Sequence, residues 1–143
     1  MVMENPEKIK ILVVDDESLV VEYFLHALSE RGYDCKSAKD GVEGIGLVSK
    51  EQFDVIITDL RMPNMHGHRF ITEVLDRPFP PLLIVVTAVS DDRIEKDLYL
   101  RGVVEVATKP VNIEVLEPKI KSLLNLKRKG DSLILNESAM VQT

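Results

Sequence analysis

Short, almost wholly apolar runs alternate along the chain with segments whose apolar residues recur every three to four positions. Ile9–Val14 is apolar apart from Lys10, which predicts a strand buried on both faces. From about Leu19 to Arg31 the period lengthens. Val20, Phe24, Ala27 and Leu28 fall at i, i+4, i+7 and i+8, one stripe of a helix that Gly32 stops. Tyr33–Ala38 reads as a weaker, edge-like strand. About Val42 to Lys50 reads as a helix softened by Gly44 and Gly46, each costing roughly 1 kcal/mol against alanine. Val55–Thr58 is the third strand, and a helix over about His68–Asp76 ends at Pro78. The turn Arg77-Pro78-Phe79-Pro80-Pro81 leads into Leu82–Val86, the fourth strand. A helix over about Asp92–Arg101 stops at Gly102, and Val103–Thr108 is the fifth strand. The last helix starts at Asn112, a good N-cap, with Ile113, Leu116, Ile120, Leu123 and Leu124 on one face. Pro118 falls inside it and predicts a kink. Strict alternation of strand and helix predicts an α/β fold, a five-stranded parallel sheet sandwiched by five helices with right-handed crossovers. Residues 1–127 make the domain, and 128–143 read as a C-terminal tail or the start of a linker.

Composition narrows the classes. The 143 residues suit one domain. The net charge of −6 argues against a general nucleic-acid surface, which would be basic. The start, MVMENPEKIK, is neither a signal peptide nor a membrane span, and Leu82–Val86, the longest apolar run, is far too short to cross a bilayer. Cys35 is the only cysteine. It excludes an internal disulfide, fits a reducing cytoplasm, and reads as a small core residue of the second strand. Gly41, Gly44 and Gly46 follow a strand, but their spacing is not that of the dinucleotide fingerprint, so they read as loop and packing glycines.

The chemistry gathers at strand ends. In an open parallel sheet, ligands bind beyond the carboxyl ends of the strands, where strand order reverses. The first strand runs into Asp15-Asp16-Glu17, the third into Asp59, the fourth into Thr87 and the fifth into Lys109-Pro110. With the order 2-1-3-4-5, Asp16, Asp59 and Thr87 stand on adjacent strand ends roughly 4.8 Å apart, and the long stem of Lys109 reaches inward. Carboxylates gathered in this way repel one another unless a hard cation joins them, and oxygen-only donors select Mg2+ or Mn2+. A carboxylate can also attack phosphorus, and phosphoryl transfer needs mainly positioning and charge neutralisation. One phosphoryl oxygen would face the metal, a second Lys109, and the third the Thr87 hydroxyl with a backbone N–H. The set suits Asp59 as a phosphoryl acceptor.

The blocks ILVVDDE, FDVIITDLRMPNMHG, LLIVVTA and VATKP, in this order and spacing, resemble the receiver domains of two-component response regulators over about Lys8 to Leu126. The resemblance implies a flavodoxin-like fold and phosphorylation of Asp59 by a histidine kinase or phosphotransfer protein. It implies Mg2+ bound directly by Asp16, Asp59 and the Arg61 carbonyl, with Asp15 acting through water. Thr87 and Lys109 would read the phosphoryl group, supported by Ala88 and by a cis peptide bond before Pro110. Such a chain catalyses only its own phosphorylation and dephosphorylation. Output would pass through contact with a downstream protein, or through a homodimer built on helix 4, strand 5 and helix 5 or on the tail, with no direct nucleic-acid or membrane contact. The family often places Tyr or Phe three residues before the lysine as a rotating switch; here that position is Val106. Competing readings are a phosphorylation-independent module of the same fold and an N-terminal fragment of a longer regulator. A metal-dependent phosphohydrolase would often carry a second aspartate two residues after the nucleophile, where this chain has Arg61.

Overall fold

The computed structural model describes residues 8–61, 65 and 67–140, with side chains as far as Lys127. The elements are β1 (Lys10–Val14), α1 (Ser18–Glu30), β2 (Asp34–Ala38), α2 (Gly41–Lys50), β3 (Val55–Thr58), α3 (Gly67–Leu75), β4 (Leu82–Thr87), α4 (Asp92–Arg101), β5 (Glu105–Thr108) and α5 (Ile113–Met140). All strand pairs are parallel and the sheet order is β2-β1-β3-β4-β5, as the alternation of patterns predicts. The three central strands are the continuous apolar runs. Both of their faces are covered, and β3 and β4 are buried at every position. One face of the sheet, Leu12, Val14, Ile56, Leu83 and Val85, packs in a single core with Phe70, Ile71 and Val74 of α3 and Leu98 of α4.

Of the strands that start later than the hydrophobic pattern predicts, β2 and β5 share one physical reason. Gly32 and Gly102 adopt left-handed backbone (φ 90° and 115°) after α1 and α4. The next residue in each case, Tyr33 or Val103, donates its N–H back to Leu28 O or Leu98 O, at 3.2 and 3.1 Å. Its side chain is buried. This is the hydrogen-bond pattern of a Schellman helix end. Tyr33 and Val103 therefore close helices instead of opening β2 and β5. At the other ends, Asp40 accepts the Glu43 N–H and Asp91 the Ile94 N–H, capping α2 and α4. The chain forms two compact units divided between Ile113 and Glu114. The sheet and α1–α4 belong to the first. In the second, α5 continues past both Pro118 and residue 127 as far as Met140. Among the described residues no helix is long and apolar enough to cross a membrane. Cys35 lies half-buried on the edge strand β2, not in the core, and burial pushes its thiol up from the ordinary value.

The two glycines of α2 divide in role. A Cβ at Gly44 would come within 2.8 Å of the Phe70 ring, whereas one at Gly46 would meet nothing within 4 Å. Gly46→Ala is therefore expected to stabilise the fold by about 0.5–1 kcal/mol through helix propensity. Gly44→Ala is expected to cost about 1–3 kcal/mol by overpacking. Urea unfolding of the two variants checks the opposite signs, and a loss of stability in Gly46→Ala would contradict the assignment.

Candidate functional site

The register pairs Val14 with Thr58, so the next residues, Asp15 and Asp59, leave β1 and β3 side by side. Each is fixed by one more rung. Asp59 N–H donates to Val14 O and Asp15 N–H to Ala38 O, both at 3.1 Å. Both aspartates are buried. The local turns shape their carboxylates further: Glu17 N–H donates to Asp15 Oδ1 at 2.9 Å, and Arg61 N–H to Asp59 Oδ1 at 3.1 Å. Lys109 follows β5, where its N–H donates to Thr87 O at 2.8 Å, and a cis peptide bond joins it to Pro110. Its Nζ lies 2.7 Å from Asp59 Oδ2, 2.8 Å from Asp15 Oδ2 and 2.9 Å from Glu17 Oε1.

Burial works against the charge of Lys109, but three carboxylate partners more than offset it and hold the ammonium above its ordinary range. Burial raises the Asp15 carboxyl, and it outweighs the opposing effects of Lys109 and of the Glu17 N–H. Asp15, Glu17 and Asp59 each present an oxygen within 4.8 Å of the others, a donor set able to hold a metal ion. Its chemistry fits a hard divalent cation, being oxygen only and anionic. The ammonium of Lys109 already takes one oxygen from each of the three, so the geometry accommodates positive charge at their centre.

Asp15, Asp59 and Lys109 thus converge from β1, β3 and β5. Thr87 is buried at the end of β4, and Ala88 opens the loop beyond it, exposed. Asp16 is exposed and is not one of the three converging carboxylates; Glu17 is. The Arg61 amide faces Asp59. Residues 62–64 and His66 lie outside the described residues. Val106 is partly buried, packed against the core. The sequence places Glu17 in the strand-end acid run without giving it a role, and an acid at a helix start can serve simply as a cap. The structure removes that explanation: Glu17 occupies the N-cap of α1 without a side-chain capping bond, and its carboxylate turns to Lys109.

The family model of the response regulator receiver domain matches residues 11–121. The sensor histidine kinase RcsC of Escherichia coli is 31% identical over 131 residues, a match that covers 90% of this chain. The chain spans only 14% of that relative's length. A CheY-like response regulator receiver domain protein from Methanospirillum hungatei JF-1 superposes with a TM-score of 0.81 at 25% identity, covering 86% of this chain and 98% of that one. The response regulator protein TrrA from Thermotoga maritima, solved in complex with Mg2+ and BeF, superposes with a TM-score of 0.71 at 30% identity, covering 80% of this chain and 98% of that one. Sheet order, strand-end acids and sequence agree, and the chain belongs to the response regulator receiver domain family of two-component signalling, with its flavodoxin-like fold.

Proposed function

We propose that the chain is a phosphorylation-controlled signalling switch that accepts a phosphoryl group on Asp59 from a histidine kinase or phosphotransfer protein in the cytoplasm. The observation that carries this reading is the three-way grip on Lys109, at 2.7–2.9 Å, by acids leaving two adjacent strands. A carboxylate needs no general base. One oxygen of Asp59 forms a bond to phosphorus, the bond from phosphorus to the donor's imidazole nitrogen breaks, and that nitrogen keeps the electron pair. Lys109 now grips Asp59 Oδ2 and would exchange it for a phosphoryl oxygen, keeping its charge beside the transferred group. The Thr87 hydroxyl and the amide of Ala88, one strand over, suit another phosphoryl oxygen. Asp15 and Asp59, with Asp16 and the Arg61 carbonyl as the resemblance implies, would hold Mg2+, and Glu17 is a further oxygen donor at the same place. When bound, the ion supplies neutralisation of charge on the phosphoryl oxygens.

Incubation with phosphoramidate and Mg2+ tests the reading. The intact mass is expected to rise by one phosphoryl group, and chelation of the metal should prevent it. An unchanged mass with Mg2+ present would favour a phosphorylation-independent module.

A further inference from the structure

Val106 has no ring to swing, but its backbone makes a contact that singles it out. Among the described residues β5 is an edge strand, paired only with β4. The Lys109 N–H turns inward to Thr87 O. Since N–H groups alternate in direction along a strand, that of Val106, three positions earlier, turns outward from the sheet. An outward N–H on an edge is ordinarily left to water or to another chain. Here it donates to the hydroxyl of Tyr99 on α4, at 3.1 Å. Tyr99 is 44% exposed, so filling the core does not explain it.

We infer that Tyr99 is a positioning residue whose hydroxyl latches α4 to the edge of β5, and that phosphorylation of Asp59 releases this latch; the inference rests on the acceptor reading above. The mechanical connection is short. β5 has four residues. Beyond its C-terminal end, Lys109 is tied to the acceptor site twice, by Nζ to Asp59 Oδ2 and by N–H to Thr87 O. Bonding a phosphoryl group to a carboxylate oxygen of Asp59 must move the ammonium that grips the carboxylate, and Val106 lies three residues, roughly 10 Å, along the same strand. The last turn of α4 is anchored separately: Leu98 is fully buried in the core against α3, and Gly102 N–H and Val103 N–H close the turn on Tyr99 O and Leu98 O. β5 is then displaced against a fixed helix end, and the Tyr99–Val106 bond is what spans the two. Both partners lie at the surface and can turn to water when they part. The bond therefore biases its equilibrium only about tenfold, a bias that a phosphoryl group can overcome.

Hydrogen exchange and NMR with beryllofluoride and Mg2+ test the latch. Bound beryllofluoride is expected to speed exchange of the Val106 amide by about tenfold. The inward amide of Ala107 should change little, and the ring carbon bearing the Tyr99 hydroxyl should shift at the same time. In Tyr99→Phe the amides of Asp59 and Lys109 should respond to beryllofluoride as before, while the response along 92–99 falls by about threefold or more. A merely structural bond would lower stability equally in both states and leave the exchange ratio at Val106 unchanged, which would overturn the latch. So would an undiminished response of α4 in Tyr99→Phe. The unsubstituted protein reports the same bond through the Tyr99 ring carbon should the variant not fold. If beryllofluoride moves no amide at Asp59 or Lys109 even in the unsubstituted protein, the acceptor reading fails and the latch with it.

Discussion

Asp59→Asn is expected to abolish phosphoryl incorporation from phosphoramidate, and to do so without unfolding the protein. The substitution replaces a nucleophilic carboxylate oxygen by an amide and keeps the shape of the side chain. An asparagine carbonyl can still accept the Arg61 N–H that now reaches Asp59 Oδ1. Lys109 keeps its contacts with Asp15 and Glu17. The variant also brings one fewer negative charge to a crowded place, so its stability should lie within about 1 kcal/mol of the original or above it. Loss of labelling with retained cooperative unfolding then isolates the chemistry from the fold. Intact mass and peptide mapping make the measurement. Labelling of Asp59→Asn to the same extent as the original would sink the assignment. Transfer of the label to Asp15 or Asp16 would show that the strand-end acids share the role.

The order of elements was readable from the sequence because strands covered on both faces must be apolar at nearly every position, and helices covered on one face must not. What pattern could not supply was where the glycine-ended helices let go. Tyr33 and Val103 are apolar and come directly after the glycines that stop the helical stripes, so hydrophobicity alone assigns them to the strands that follow. Only the backward bonds to Leu28 and Leu98 place them with the helices. The extent of α5 escaped for a related reason. Gly130 lowers helix propensity locally, yet the helix runs on to Met140. The convergence of Asp59, Asp15 and Lys109 was legible because a charged residue directly after a strand end stands out. Glu17 stood in the same acid run, but its part in the cluster was not legible, since an acid at the first turn of a helix satisfies the dipole equally well. The contact of Tyr99 with Val106 was beyond reach. It joins residues seven apart across a left-handed glycine, a geometry set by how α4 lies against β5.

Lys109→Met is expected to destabilise the metal-free protein by about 3 kcal/mol at neutral pH, with a pH dependence that identifies the cause. Methionine keeps most of the length and apolar stem, so the change is chiefly the loss of the ammonium. Its side chain is only 12% exposed and serves three carboxylates, two of them buried. Lys109 is held above its ordinary value of 10.5 in the folded protein. The stability it contributes is therefore complete below the unfolded value and is lost only as pH rises through the higher folded one. Between pH 5 and 9, by this reckoning, the contribution should be flat in the unsubstituted protein. In the variant the carboxylates lose that partner. Asp15, raised by burial even with Lys109 in place, should rise further. A carboxyl whose folded value exceeds its unfolded one costs stability above both, and the cost disappears as pH falls through the folded value. The deficit of Lys109→Met should thus shrink on acidification from pH 7 towards pH 5. Added Mg2+ should shrink it too, by offering the same oxygens a different cation. Urea unfolding at several pH values, with and without Mg2+, makes the comparison. A deficit indifferent to both pH and Mg2+ would mean that the lysine contributes packing and not charge, and that the three acids are stable together without a cation.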